Sequence, residues 1–303
     1  MAGKRIDRII THIRRATDNE DVSSTVGISD EEFLQYANDS LRDLQRLAIQ
    51  HDVSLFRSST EVSIAASTRE YTLPANVYTS HGIDLVEYSY DGQSKNYSAL
   101  RRIYLVESSN RESTYPCEYI LQNDKLLVSP IPTSATGKLR ITYVTKPNLV
   151  DKRRGTITAR TISGSDYTTI TVSGGDATEL GLAEYVCVVD YDGTIKYSAI
   201  PVSSYTSGTS TLTLRSGVAT ASGTITVGDY VVSGKYASTH FPIPDWEDYH
   251  TAYMAWKILK RDSSNDAVEQ ERELSSMRNS IEETLKSLPC DLISWPIINE
   301  EWI

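Results

Sequence analysis

The sequence predicts an α+β protein: a helical scaffold drawn from both chain ends, an antiparallel strand segment, and an inserted small all-β barrel or sandwich. Three observations carry this. Apolar residues recur at helical spacing near both termini, the period changes to two from about residue 59, and residues 155–234 are dense in Thr, Ser, Gly and Val. The implied division is 1–150 with 236–290 as a discontinuous helical core carrying the strand segment, 151–235 as the insert, and 291–303 as an apolar tail.

Ile6, Ile9, Ile10 and Ile13 form the first helical stripe, flanked by Lys4, Arg5, Arg8, Arg14 and Arg15. Those cations read either as a solvated face or as a basic arm toward an acidic partner or DNA. Ser29-x-x-Glu32 is a capping box, in which each side chain satisfies the other's free backbone N–H. Phe33, Tyr36, Ala37, Leu41, Leu44, Leu47 and Ala48 follow on one face. Val62, Ile64, Tyr71 and Leu73 read as a strand pair, and Ile83 to Tyr88 as another strand closed by a turn at Asp91-Gly92. Residues 100–112 read as a short polar helix or loop, 115–132 as a hairpin around Asn123-Asp124, and Leu139 to Val144 as the next strand.

Short strands are expected at 156–162, 168–172, 185–190, 195–200, 210–214 and 229–233, parted by Gly-bearing turns. Helix returns after Pro244, with Asp245 as N-cap. Trp246, Tyr249, Tyr253 and Trp256 lie along its stripe. A polar break at 262–265 leads to a last helix with Val268, Leu274, Met277, Ile281, Leu285 and Leu288 inward, stopped by Pro289.

The chain has 303 residues and a formal net charge of −10, which disfavours adhesion to DNA phosphates or anionic membranes. Tyr outnumbers Phe, 19 to 3, which suits half-buried strands and wet interfaces. Cys117, Cys187 and Cys290 are too scattered for a disulfide framework or a metal knuckle. The N-terminus lacks the apolar core of a secretory signal, and no stretch approaches the ~20 apolar residues of a membrane span.

Residues 187–195, C-V-V-D-Y-D-G-T-I, resemble the hhhDxDGT motif of haloacid-dehalogenase phosphatases. That motif needs a parallel strand, a following helix and a distal acidic pair. Here the chain continues as β after Ile195, and Gly228-Asp229 is too near and lacks a second Asp. Asp192-Gly193 reads instead as a type I′ hairpin turn. D-x-D-G also lacks the remaining ligands of a calcium loop. His12, His51, His81, His240 and His250 lack metal-site spacing, and Ser173-Gly174-Gly175 precedes no helical pattern that could cradle a phosphate. No cofactor, metal site or catalytic set is expected, and the chain is not read as an enzyme.

Three stretches carry a family resemblance: I-S-D-E-E-F-L-Q-Y-A-N-D-S-L-R-D-L; Y-P-C-E-Y-I-L-Q-N-D-K-L-L-V-S-P-I-P followed by L-R-I-T-Y-V-T-K-P; and P-I-P-D-W-E-D-Y-H-T-A-Y-M-A-W-K. Together they resemble the head-to-tail adaptor proteins of tailed bacteriophages, also called connector, head-completion or tail-tube-A-type proteins. The resemblance covers about 1–150 and 236–303 and leaves the β insert outside.

It implies a virion protein made in the host cytoplasm and placed in the neck or tail. Copies form a dodecameric homo-oligomeric ring that joins the portal protein to tail tube, nozzle or fibre proteins. Double-stranded DNA passes through the lumen without specific binding, and no membrane anchor is implied. An acidic lumen would let DNA slide. Phe33, Tyr36, Leu41, Leu44, Trp246, Tyr249, Tyr253 and Trp256 are the candidates for helix packing and the ring interface. Trp295, Pro296, Ile297, Ile298, Trp302 and Ile303 either fold back on the chain's own core or dock into a neighbour or the portal. The alternative function is another neck or fibre-attachment protein, or a ligand-binding β module.

Overall fold

The structure, a computed structural model, describes residues 4–17, 27–51, 56–78, 82–93, 96–104, 111–174, 176–220 and 224–287. The chain divides into two compact units. The first comprises Met1–Leu47 with Pro147–Ser287; the described part of the second lies within Ala48–Lys146. The architecture is mixed α+β and includes a small closed barrel.

The first unit begins with α1 (Ile6–Ala16) and α2 (Asp30–Gln50). The four isoleucines of α1 pack with Ile28, Phe33, Leu34, Ala37 and Leu41 in one core. The α2 start is half a capping box: Ser29 Oγ accepts from Glu32 N–H at 3.2 Å. The Glu32 carboxylate turns instead to Tyr36 Oη at 2.7 Å and Arg261 Nη1 at 3.1 Å. Two charge-assisted bonds outcompete the return bond to the backbone.

The second unit holds β1 (Arg57–Ser63), β2 (Glu70–Thr72), β3 (Ile83–Ser89), β4 (Ser98–Ala99), β5 (Arg101–Arg102), β6 (Glu112–Ser113), β7 (Glu118–Gln122), β8 (Lys125–Ser129), β9 (Ile131–Pro132) and β10 (Lys138–Val144). They form sheets β1-β10-β3-β4 and β2-β8-β7-β5 and the pair β6-β9. The expected pairing of the strands around Val62 and Tyr71 does not occur: β1 pairs with β10, and β2 with β8. Ile64, Tyr71 and Leu73 still share one core with Leu126, Leu139 and Ile141. Alternation reports which side faces the core, not which strand lies alongside.

Within residues 100–112 the described parts are β5 and β6, not a helix; 105–110 lie outside the described residues. The β7–β8 hairpin turns at Asn123, whose φ is +55°, with Gln122 opposite Lys125.

The first unit resumes with β11 (Leu149–Val150), β12 (Gly155–Ser163), β13 (Asp166–Ser173), α3 (Ala177–Leu182), β14 (Tyr185–Val189), β15 (Ile195–Thr206), β16 (Thr211–Ala219), β17 (Tyr230–Ser233) and β18 (Ala237–Ser238). Strands β12-β13-β16-β15-β14-β17 close into the barrel, and closure removes exposed edges. Ile157, Ile170, Val172, Val186, Val188, Leu212 and Val231 fill it. β11 and β18 pair in parallel where the chain enters and leaves the barrel.

The short helix α3 was not expected after Ser173-Gly174. It forms because Asp176 caps it, accepting from Glu179 N–H. That carboxylate sits at the helix start, so the segment cradles no phosphate.

A 3₁₀ turn at Pro244–Trp246 leads into α4 (Glu247–Arg261), followed by α5 (Asp266–Ser287). Trp246, not Asp245, holds the N-cap position of α4, and no side chain caps it. Pro244 fixes a tight first turn, which draws Asp245 inside it. On α5, Leu274, Ile281 and Leu285 are buried, whereas Val268 is 57 % exposed because it precedes the packed stretch. Met277 is half-buried, and Leu288 and Pro289 lie outside the described residues. No described helix is long and apolar enough to cross a membrane.

Candidate interaction surfaces

The eight residues expected at the helix-packing and ring interface separate by burial. Phe33, Leu41, Leu44 and Tyr249 are at most 2 % exposed and lie inside the unit. Tyr36, Trp246, Tyr253 and Trp256 are half-buried. Tyr253 and Trp256 meet edge-on at 5.7 Å, with Lys257 5.1 Å and Lys260 4.7 Å from the Trp256 ring, so α4 carries an aromatic ridge dressed with cations.

Beside that ridge, Tyr249 Oη donates to Asp43 Oδ2 at 2.6 Å, and Arg278 approaches the same carboxylate at 3.6 Å. Burial and the bond to Asp43 push the Tyr249 hydroxyl well above the ordinary phenol range. Glu271, Leu274 and Ser275 complete a cleft of about 250 Å³ among α2, α4 and α5. Burial, then the bond to Glu32, pushes the Tyr36 hydroxyl up to about 12.

The basic flank of α1 is largely spoken for. Lys4 approaches Glu247 at 3.5 Å, Arg5 approaches Asp7 at 3.1 Å, and buried Arg14 reaches Asp30 at 2.8 Å while lying 4.6 Å over the Phe33 ring. Arg8 and Arg15 stay exposed.

The strongest electrostatic feature was missed in the sequence. Arg154 is buried where the chain enters the barrel. It bonds Asp151 through Nε at 3.0 Å and Nη2 at 2.6 Å, Glu31 through Nη1 at 2.7 Å and Nη2 at 2.9 Å, and Asp176 through Nη1 at 3.1 Å. Asp151 also accepts from Ser233 N–H at 2.7 Å, at the barrel exit. Lys152 adds Asp30 at 3.2 Å.

One guanidinium thus joins the α2 start, the α3 cap and both chain crossings of the barrel base. Burial opposes charge on Arg154, yet Glu31 and Asp151 outweigh it and hold its proton more tightly than usual. Burial pushes Asp151 up. Hydrogen bonds from Arg154 hold Glu31 low; bonds from Arg14 and Lys152 overcome burial and hold Asp30 low. The D-K-R-R run at 151–154, at the composition shift, was the available signal.

The Asp190 loop connects β14 to β15. Asp190 Oδ1 accepts from Asp192 N–H and Thr194 N–H, each at 3.0 Å. Gly193 N–H bonds Asp190 O at 3.2 Å, and in this loop only Gly193 has positive φ, +82°. The turn is therefore not type I′, which needs positive φ at both central residues. The Asp190 side chain stabilises a turn whose first two residues keep ordinary φ. Its Oδ1 is committed to two backbone amides, and antiparallel β14–β15 is not a phosphatase setting.

His250 Nδ1 lies 2.7 Å from Ser40 Oγ, and its ring stacks on Phe241 at 4.0 Å. Burial drops its pKa to about 3, so it is neutral near pH 7. His240 is also pushed down by burial.

In the second unit, Tyr90 and Tyr115 are 55 % and 50 % exposed and meet edge-on at 6.4 Å. Among the described residues no group of three or more His, Cys, Asp or Glu is placed to hold a metal ion. The tail candidates Trp295, Pro296, Ile297, Ile298, Trp302 and Ile303 lie outside the described residues, as do Cys290 and His81.

No curated protein matches the chain. The family model described as SU10 adaptor protein matches residues 5–152, from the start of the first helix to the edge of the barrel joint, and places that segment in a family of phage head-to-tail adaptors.

Proposed function

We propose that this chain is a structural neck protein whose copies form a ring, dodecameric by the resemblance, between portal and tail, with DNA passing through the lumen. The observation that carries the reading is the adaptor-family match over residues 5–152. The net charge of −10 supports it, because an acidic lumen repels phosphate and lets DNA slide. In this reading the helices from both chain ends are the ring scaffold. Segment 151–235 is an inserted domain presented to tail, nozzle or fibre proteins, and 291–303 is a docking tail for a neighbour or the portal.

A second reading, fibre attachment or ligand binding through the barrel, is favoured by one feature: the barrel lies beyond the matched segment. Purified virions decide the matter. The chain should stay with the particles through a high-salt wash, and imaging should show an axial ring at the portal–tail junction. A chain found free at its own mass overturns the adaptor reading, and a peripheral location favours the second.

A further inference from the structure

We infer that the outer face of α1 is the docking surface for the outer face of α5 in a second copy of this chain. This rests on the reading of the chain as a self-assembling adaptor and names the surfaces that join its copies.

Helix α4 separates the two faces. Its Met254 and Ile258 share a core with the isoleucines of α1. Its Tyr249, Tyr253 and Trp256 line the cleft against Leu274 and Ser275 of α5. At 3.6 residues per turn these two sets lie on nearly opposite sides of α4. The outward faces of α1 and α5 therefore point away from each other within one unit.

They also carry opposite charge. With Ile6, Ile9, Ile10 and Ile13 inward, the outer stripe of α1 is Arg8, Thr11 and Arg15, beside exposed His12, with Lys4 just ahead of the helix. Lys4 leans on Glu247; among the described residues neither Arg8 nor Arg15 has an acidic partner. With Leu274, Ile281 and Leu285 inward, the outer stripe of α5 is Glu269, Glu273, Ser276, Ser280 and Glu283, all exposed, beside one exposed cation, Arg272, so three carboxylates outnumber it on that face. The spacing of four, three, four and three keeps these residues in line, as it does on α1. Glu269 and Glu273, four apart, repel one another within the helix.

Two different patches, complementary in charge and on opposite sides of one helical layer, make a head-to-tail contact. Repeated through a fixed rotation, such a contact closes a ring.

The test is sedimentation velocity of the full chain at low and high salt. Wild type should self-associate more strongly at low salt. Arg8→Glu/Arg15→Glu and Glu269→Lys/Glu273→Lys should each weaken association roughly tenfold or more, since like charges then face each other. An equimolar mixture of the two variants should recover hetero-association, because both kinds of mixed contact, α1 of either variant against α5 of the other, again pair opposite charges. Both variants change exposed residues, and unchanged thermal melts confirm that they fold; Arg8→Gln/Arg15→Gln serves if the reversal does not. If wild type associates and the variants associate equally well, this interface is wrong while the ring stands. If wild type is monomeric throughout, the ring reading fails and the interface with it.

Discussion

Arg154 grips Glu31 with two parallel hydrogen bonds, 2.7 and 2.9 Å long, across 123 positions of sequence. The contact fixes the first turn of α2 to the threshold of the barrel, and Asp151 and Asp176 share the same guanidinium. Arg suits this position because its planar fork can serve three carboxylates while buried.

Replacing Arg154 by Met should therefore cost about 3–5 kcal/mol, because Asp151 is left as an uncompensated buried charge. Arg154→Lys should recover little, since an ammonium cannot reproduce the paired geometry. Arg154→Met with Asp151→Leu should recover more than Arg154→Lys. Urea denaturation at neutral pH measures all three; equal stability of wild type and Arg154→Met would show that the joint contributes nothing.

His250, with His240 lowered in the same sense, sets the pH response above the carboxylate range. Its folded pKa is about 3, against an ordinary value near 6.5. The unfolded chain therefore takes up a proton below about pH 6.5 that the folded chain refuses. Stability is fully present above that pH and drains by about 1.4 kcal/mol per pH unit as pH falls toward 3.

Glu31, Asp30 and Asp176 are held low, so their contribution is present above the ordinary carboxylate range and is lost only as pH falls below about 4. Asp151, pushed up, works in the opposite sense. Between pH 7 and 5 the wild type should lose about 2 kcal/mol more than His250→Phe, by denaturation at each pH. Equal losses would mean that the ring already gains a proton in the fold.

What the sequence made legible follows from locality. The six barrel strands were visible because alternation and Gly-bearing turns are short-range signals, and the stripe of α1 because one helix face is one period. Strand partners were not. Val62 and Tyr71 alternate toward the same core, yet their strands belong to different sheets, a choice made by residues Leu139 and Leu126 far along the chain. Nothing in the local sequence around Asp176 marks its role, because its partner Arg154 lies 22 positions earlier. Among the ring candidates, Phe33 and Tyr253 share a helical stripe pattern, but only packing separates the buried ring from the half-buried one.

The Asp190 turn gives a stability prediction where the motif suggested chemistry. A Cβ on Gly193 would lie 2.7 Å from Cγ of His240, closer still to Nδ1, at a φ of +82°. Gly193→Ala should cost at least about 2 kcal/mol, clash and strain together. Gly164 has φ +64° with nothing within 4 Å, so Gly164→Ala should cost only the strain, about 1 kcal/mol. Asp190→Ala should cost about 1–2 kcal/mol through its two lost amide partners. Thermal melts rank the three; Gly193→Ala no worse than Gly164→Ala would show that the His240 ring yields freely.

The tail offers the most direct test of docking. Residues 291–303 are rich in Trp and Ile yet also carry Asp291, Glu300 and Glu301, a composition suited to an anchor with a wet rim. Deleting 291–303 should leave the melting temperature of the purified chain unchanged while abolishing incorporation into particles or co-purification with the portal. Trp295→Ala with Trp302→Ala should reproduce most of that loss, because buried aromatic anchors dominate interfaces. A lowered melting temperature would instead mean that the tail packs on its own chain. Unchanged incorporation at an unchanged melting temperature would remove the tail from the assembly altogether.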